Sequence, residues 1–525
     1  MPGLLSVLVR AGRGTLLTLT LGIAVLTMGT SPAHAEWRRA ESPHFIVYGD
    51  MSEQSLRDYT RKIERFDAML RHYYPNAAGT VSSKLEIYIA DGLSELRQIN
   101  PTLRSGIGGF YSAGDSRVFA VVDQRRSEGD RTLFHEYGHH FMLANMPGAY
   151  PGWFVEGFAE YHATAEVTSD RARIGMHSRG RMNSLVQSNS WVPMEAVLGS
   201  RSAQLTSGQG PGYYAQAWAL TSYLMSTPER KRRLGLYLAA VASGADPIAA
   251  LDGTIDRTPS ELQGDLQSYL RRITYFTVPM ALPTAEVTVS VMPTSARDLI
   301  WLDLRVDRFV APADKAELLD RIRSIAARYP GDRLAGIVLA KIQLSNDDPR
   351  AAEATLAPIL VAAPADADAL RLTARARMTQ AAADEIDPAE RDHLYAQART
   401  LLGRAYRSDP EDYRILMALA DSRMRAFDYP TDNDLDTLDV AVQLAPQVST
   451  VRYRAAQALM ARDFYPEVIA LLEPVANNPH GGDSLAPVRA LLGEARQRAG
   501  LAARPDEPLP IAPDAGEEDP DASGE

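Results

Sequence analysis

The stretch RTLFHEYGHHFMLAN occupies positions 131–145 and contains the motif H-E-x-x-H. Its apolar residues recur at helical spacing and no proline interrupts them, so the stretch predicts a helix. Histidines four positions apart lie on the same face of a helix, and His135 and His139 can therefore take two corners of a zinc tetrahedron. Glu136 then lies where its carboxylate can reach a metal-activated water. The stretch alone predicts two metal ligands and a base, and only together with a second helix does it describe the zinc site of a hydrolase.

A second helix is predicted over positions 151–165, because a proline suits its first turn and apolar residues follow. Two helices in tandem can present His135, His139 and Glu156 to one ion. Glu160 lies one helical turn after Glu156 on the same face. Glu160 can therefore accept a hydrogen bond from the second ring nitrogen of a ligand histidine.

The two helices also carry a family resemblance. HEYGHH at 135–140, followed by GWFVEGFAEY at 152–161, resembles the gluzincin clan of zinc metallopeptidases, and particularly its bacterial peptidase-MA-like members. SPHFIVY at 42–48 and YYAQAW at 213–218 are similar to an opening strand and a later helix of that family. The resemblance covers about residues 36–280. It implies an α+β zincin-like catalytic domain and leaves endopeptidase and exopeptidase action both open.

The resemblance implies a role for each polar residue of the two helices. His135, His139 and Glu156 would bind one zinc ion per chain, and Glu136 would be the general base. The string W-x-x-E-G-x-A-E-Y selects Glu156 over Glu160 as the third ligand. Glu160 would then support a ligand histidine from outside the metal's own coordination sphere.

Four other side chains complete the candidate set. The clan places a tyrosine or a histidine beside the developing oxyanion, and Tyr213 and Tyr214 are the candidates here because they begin a predicted helix. Ordinary core packing is the alternative for both tyrosines. His140 and His162 are predicted to lie on solvated helix faces.

The two ends of the chain predict export. Residues 1–35 combine an arginine-containing start, a short apolar run and an A-x-A cleavage site, as secretory signal peptides do, and an uncleaved anchor is the alternative. The chain contains no cysteine, which excludes disulfides and thiolate ligands. The acidic, proline-rich segment 504–525 is predicted to be disordered. We therefore expect an exported bacterial protein, periplasmic or secreted, with no transmembrane segment after signal cleavage.

The rest of the chain is too long for one domain. Residues 36–285 are the predicted metallopeptidase domain, and 286–313 a linker that could instead add a strand to the sheet.

Residues 314–503 are predicted to form an all-α TPR-like superhelical array, because prolines recur there at a period of ~34 residues. About four divergent repeats are expected, with generic helix packing as the alternative. The recurring residues are Pro330, Pro364, Pro410, Pro446 and Pro479, with small residues at Ala340, Ala374, Ala420 and Ala456.

The combined prediction is an exported zinc-dependent peptidase whose TPR array recruits a substrate or a partner protein on its concave face. Two alternatives stay open: a periplasmic scaffold or assembly factor with a vestigial peptidase domain, and a zinc hydrolase of non-peptide amide bonds such as cell-wall crosslinks. The formal net charge of −11 argues against nucleic acid and anionic membranes as partners. The natural substrate, the array partner and the oligomeric state are left open by the residues.

Overall fold

The structure is a computed structural model of the 525-residue chain. The predicted signal peptide, the predicted acidic tail and Pro479 lie outside the described residues. The structure describes residues 36–75, 83–105, 107–125, 129–186, 191–199, 209–282, 284–308, 310–476 and 485–501.

Within the described residues, nine strands form two sheets in an otherwise largely helical chain. The strands are β1 (Arg38–Glu41), β2 (Phe45–Gly49), β3 (Leu85–Ala90), β4 (Gly109–Ala113), β5 (Val118–Asp123), β6 (Glu166–Val167), β7 (Arg171–Ile174), β8 (Phe276–Pro279) and β9 (Thr288–Val291). The larger sheet has the order β4-β5-β3-β2-β1-β9 and the smaller one the order β6-β7-β8. In the larger sheet β2, β3 and β5 run parallel, while β4, β1 and β9 pair antiparallel with their neighbours.

The first half of the chain places helices on both faces of the larger sheet. Its helices are α1 (Glu53–Tyr73), α2 (Leu93–Ile99), α3 (Gly129–Asn145), α4 (Gly152–Ala163), α5 (Arg179–Val186), α6 (Met194–Gly199), α7 (Gly210–Met225), α8 (Pro228–Ala242) and α9 (Pro259–Tyr269). On one face, Ile87 of β3 joins Phe66 of α1 and Leu133 of α3 in one apolar core. On the other face, Tyr88 packs with residues of α2. Because β3 is buried on both faces from Ile87 to Ala90, its residues there are apolar or aromatic in succession, as in central parallel strands.

The second half is helical throughout. Its helices are α10 (Ala296–Arg308), α11 (Lys315–Ala326), α12 (Arg333–Ser345), α13 (Pro349–Ala362), α14 (Ala367–Ala381), α15 (Pro388–Ser408), α16 (Tyr413–Arg423), α17 (Asp432–Leu444), α18 (Ser449–Met460), α19 (Tyr465–Ala476) and α20 (Ala486–Arg498). Aspartate side chains cap the starts of α12 to α16. The small residues singled out by the repeat pattern are buried, as close helix packing requires: Ala340, Ala374, Ala420 and Ala456. None of the described helices is long and apolar enough to cross a membrane.

The segment 286–313 is part of the fold, and not only a connection. Strand β9 lies within it and pairs with β1 at the edge of the larger sheet. Helix α10 follows, and Trp301 packs edge-on against Trp37 at a centroid distance of 5.2 Å. The predicted linker therefore takes the alternative form, in which it adds a strand to the sheet. The apolar residues of α10 explain the difference, because they need a surface to cover.

The helical array shares its core with the first half of the chain. Leu444 and Val448 belong to the same apolar core as Phe45 of β2. The backbone N–H of Ser83 donates to the carbonyl of Leu444 at 2.9 Å. The described residues between 36 and 501 accordingly group into one compact unit. The sequence analysis assigned residues 36–285 and 314–503 to two domains, and the shared core is the physical reason that the described helices of the array do not form a separate unit.

Candidate metal centre

Helices α3 and α4 cross closely enough to bring their polar side chains together. The crossing occurs at Gly138, where an added Cβ would lie 3.0 Å from the Cα of Ala159. A side chain at Gly138 would hold the two backbones apart. Because Gly138 has no side chain, the helices come close enough for His135 and His139 of α3 to face Glu156 of α4. The prediction of two helices in tandem requires this arrangement.

The three predicted ligands converge on one point. The Nε2 atoms of His135 and His139 lie 3.1 Å apart. Oε2 of Glu156 lies 3.4 Å from Nε2 of His139 and 3.8 Å from Nε2 of His135. Two atoms bound at ~2.0–2.1 Å to a tetrahedral zinc ion are about 3.3 Å apart. The spacing, and the set of two imidazoles and one carboxylate, therefore fit zinc, with one position left for water or substrate.

Glu160 lies behind His135, where the sequence placed it. Its Oε1 lies 3.0 Å from Nδ1 of His135, so Nε2 of the same ring is directed at the ligand cluster. Arg181 donates two hydrogen bonds to the same carboxylate, at 3.0 and 2.6 Å. Burial alone would raise the pKa of Glu160, but Arg181 and His135 hold it well below its ordinary value. Glu160 is therefore a charged, fixed partner of His135.

Arg181 was missed by the sequence analysis. It lies on α5, and nothing in its local sequence marks it, because its role depends on the packing of α5 beside α4. Arg181 contributes to the charge balance of the site. Burial lowers the pKa of His135, whereas Glu160, Glu136 and Glu156 raise it, to about 9 overall. Arg181 offsets part of this concentration of negative charge.

Glu136, the predicted general base, follows the first ligand on α3 and is half-buried. Its negative charge raises the pKa of Tyr111 of β4, after the larger effect of burial, so Tyr111 lies near the base. The hydroxyl of Tyr111 also lies 3.0 Å from Nδ1 of His140. Tyr111 is a second neighbour that the sequence analysis missed, because only the sheet brings β4 to α3.

The two candidate tyrosines lie beside the site on α7. Helix α7 packs against α4 at Gly157, where an added Cβ would lie 2.5 Å from a backbone carbonyl oxygen of α7. Tyr213 is fully buried, and burial followed by the charge of Glu156 raises its pKa well above the ordinary value. Tyr214 packs on Arg181, whose guanidinium carbon lies 5.5 Å from the ring centroid. Tyr213 therefore adjoins a predicted ligand, and Tyr214 adjoins the arginine behind it.

His140 and His162 are buried, so the prediction of solvated faces is wrong for both. Burial lowers the pKa of His140 to about 3 and that of His162 to about 4. Nδ1 of His162 donates to the carbonyl of Phe158 at 2.8 Å, and its Nε2 lies 3.2 Å from the hydroxyl of Tyr74. Both are neutral core histidines. The spacing of residues along the helices did not indicate that these histidines are buried, because α3 and α4 are covered by other elements on several sides.

A second histidine–carboxylate cluster lies between α1 and the start of β2. Nδ1 of His44 lies 2.9 Å from Oε2 of Glu64 and 3.4 Å from Oδ2 of Asp67. Asp67 also accepts hydrogen bonds from Arg71 and from the hydroxyl of Tyr137. Because side-chain donors already occupy these oxygens, we interpret the cluster as an ion-pair network that ties α1 to β2 and α3.

Comparisons with known proteins give coarse information about this chain. No protein-family model matches it, and no curated protein matches it. Among solved structures, a thermophilic TPR protein from Thermus thermophilus is similar over 35% of this chain and 92% of its own chain, at 17% identity and a TM-score of 0.30. A TM-score this low does not establish a common fold. The site itself is therefore the basis for a functional proposal.

Proposed function

We propose that this chain is a zinc-dependent peptidase whose metal is held by His135, His139 and Glu156. The observation that carries the proposal is the convergence of these three donor atoms at separations of 3.1 to 3.8 Å. Burying a carboxylate beside two imidazoles costs free energy unless a cation or hydrogen bonds compensate it. A zinc ion would supply that compensation and leave one position open for chemistry.

Each residue of the site would have one task in hydrolysis. Zinc, when bound, lowers the pKa of a water ligand and polarises the scissile carbonyl. Glu136 takes the proton from the attacking water and hands it to the leaving amine. Glu160, fixed by Arg181, keeps the imidazole of His135 in the orientation and tautomer that a ligand needs. Tyr213 is our candidate for stabilising the oxyanion, because it is buried beside Glu156.

The sheet supports a peptide as the substrate class. Strand β4 lies at one edge of the larger sheet and packs against α3, which carries the general base. An edge strand offers backbone N–H and C=O groups that pair with an extended peptide. The helical array would then contribute binding energy to larger substrates or to a partner protein. An amide bond in a cell-wall crosslink is the alternative substrate.

The test combines zinc analysis with casein cleavage, with and without a chelator. The full chain should contain one zinc ion and cleave casein, and the chelator should abolish cleavage. His139→Ala should lose the zinc, whereas Glu136→Gln should keep it and lose hydrolysis. Glu195→Gln, an exposed residue of α6, is the matched control and should behave as the unaltered chain. Loss of zinc from Glu136→Gln, or its full activity, would contradict the assignment of the base.

A scaffold with a vestigial peptidase domain is the second candidate. The observation that favours it is the extent of the helical array, from α11 to α20, and its shared core with the first half. A chain that binds zinc but leaves casein, short peptides and cross-linked peptidoglycan fragments intact would support the scaffold. Chelator-sensitive cleavage of any of these three would support the hydrolase and identify the class of bond.

A further inference from the structure

The helical array contacts the turn that joins β4 to β5. The backbone N–H of Gly114 donates to the carbonyl of Arg117 at 3.0 Å and closes this turn. The hydroxyl of Tyr413 donates to the carbonyl of Gly114 at 2.9 Å, and Arg414 donates to the carbonyl of Ser116 at 3.4 Å. Tyr413 and Arg414 are the first residues of α16. Because both donors bind backbone carbonyls, these contacts depend on the backbone conformation of the turn.

A buried ionic cluster anchors the base of the same turn. Arg117 lies 2.8 Å from a carboxylate oxygen of Asp303 and 2.9 Å from one of Asp307. Lys341 of α12 lies 2.7 Å from Asp303 and 2.8 Å from Asp307. Glu86 lies 3.2 Å from Arg117 as well, so two cations face three carboxylates where water has little access, and removing one member would leave a buried charge. The cluster ties the turn through α10 to the array.

The middle and the first residue of β4 contact α3, the helix that carries the proposed ligands His135 and His139. The hydroxyl of Tyr111 lies 3.0 Å from His140 on α3. At Gly109 an added Cβ would lie 3.3 Å from the side chain of Thr132, so β4 and α3 are in close contact. After burial, the groups that raise the pKa of Tyr111 are Tyr413 and then Glu136. Tyr111 therefore interacts electrostatically with both an array residue and the proposed general base.

We infer that the array acts on its own chain: α16 directly, and α12 through α10, hold the β4–β5 turn and thereby set the position of β4 beside α3, which carries two of the proposed ligands. Tyr413 and Arg414 are positioning residues in this arrangement. Part of the array surface is thus occupied by the chain's own turn. The effect on hydrolysis rests on the proposed function, whereas the clamping of β4 does not.

The first test measures hydrogen–deuterium exchange in the full chain. Tyr413→Phe removes the hydrogen bond to Gly114 and retains the ring. We expect the amides of β4 to exchange roughly 3–10-fold faster, the range that loss of one hydrogen bond supports. Tyr406→Phe, at an exposed tyrosine of α15, is the matched control and should exchange as the unaltered chain does. The amides of α19 are the reference segment, and their exchange should be unchanged.

Arg414→Gln supplies a second variant at the same turn, with circular dichroism as the check on folding. Unchanged β4 exchange in Tyr413→Phe would overturn the inference, and so would acceleration that is equal in β4 and α19. Acceleration confined to β4 and the adjoining turn would support it. This outcome needs neither zinc nor activity, so it stands apart from the proposed function.

The second test measures hydrolysis of a short unstructured peptide by the zinc-loaded chain. A displaced β4 should raise KM and lower kcat/KM for Tyr413→Phe, with zinc content unchanged, because the ligands lie on α3 and α4. A merely structural role would lower the amount of active enzyme and leave KM unaltered. Full activity of Tyr413→Phe despite accelerated β4 exchange would overturn the effect on hydrolysis. No hydrolysis by any variant, including the unaltered chain, would refute the proposed function and leave the exchange result to decide the clamp.

Discussion

Nδ1 of His135 lies 3.0 Å from Oε1 of Glu160, and this contact orients the imidazole of a proposed metal ligand. Arg181 donates to both oxygens of the same carboxylate. A histidine that donates one ring N–H to a carboxylate presents its other nitrogen as a better ligand. The relationship therefore links α5, α4 and α3 in one line of contacts that ends at the candidate metal centre.

Arg181→Met should weaken zinc binding, although Arg181 is not one of the proposed zinc ligands. The substitution removes two charged hydrogen bonds from buried Glu160 and loosens the orientation of His135. We expect zinc affinity to fall by roughly 10–100-fold, as measured by competition with a chromogenic chelator. Arg179→Met, at an exposed position of the same helix, is the control and should retain full affinity. Equal affinities for the two variants would contradict the support role of Arg181.

Glu156 and Glu160 should be separable by zinc content. Glu156→Ala removes a donor atom that lies 3.4 Å from Nε2 of His139, so the chain should lose most of its zinc. Glu160→Ala should keep zinc and bind it about 10–100-fold more weakly. Elemental analysis after dialysis distinguishes the two. An equal or greater loss for Glu160→Ala would reverse the assignment of the third ligand.

Gly157→Ala should destabilise the fold at the contact of α4 with α7. Its Cβ would lie 2.1 Å from Oγ1 of Thr221 and 2.5 Å from the carbonyl oxygen of Ala217. We expect the free energy of unfolding to fall by about 1–3 kcal/mol. Gly235→Ala on exposed α8 meets no atom within 4 Å and should raise it by about 0.5–1 kcal/mol. Urea unfolding measures both, and a neutral Gly157→Ala would show that α7 can move away.

His44 should make stability depend on pH. The hydrogen bond to Glu64 and the charges of Asp67 and Glu64 raise the pKa of His44 above its ordinary value, against burial and the charge of Arg71. A raised folded-state pKa contributes stability that is complete below the unfolded pKa of about 6.5 and is lost as pH rises through the folded pKa. The unfolding free energy lost in His44→Asn should therefore be larger at pH 6 than at pH 9.

Urea titrations of both chains at the two pH values, at equal zinc concentration, measure this difference. A difference that is the same at both pH values, or larger at pH 9, would contradict a stabilising charged form of His44.

The fragment 36–283 should not fold as an independent peptidase. It lacks β9, which pairs with β1 over four residues. It also lacks Leu444 and Val448, which complete the core around Phe45. We expect a loss of helical circular dichroism relative to residues 36–308, which retain β9 and α10, and little zinc in either fragment. A folded, zinc-loaded fragment 36–283 would show that the first half forms its own core.

The sequence predicted those helices and strands whose formation depends on residues close together along the chain. The apolar spacing in 131–145 indicated α3, which spans Gly129–Asn145, and the pattern in 151–165 indicated α4, which spans Gly152–Ala163. The opening strand expected within 42–48 corresponds to β2, which spans Phe45–Gly49. Periodicity of apolar residues is a local property, so these elements and the spacing of the candidate ligands could be read directly.

The parts that were not predictable depend on contacts between distant segments. Burial of His140 is an example, because it arises only when β4 places Tyr111 against α3. The same holds for Arg181, which reaches Glu160 from another helix. The strand in 286–313 has weak local signals, and its partner is the first strand of the sheet.

The residue order alone therefore specified which side chains could bind a metal, since the spacing of His135 and His139 on one helix places them on one face. The tertiary structure decided the ionisation, orientation and burial of those side chains. Desolvation and charge–charge interactions act over distances of a few ångströms regardless of separation along the chain. That is why the link from Tyr413 to the turn at Gly114, about 300 positions away in sequence, is visible only in the assembled structure.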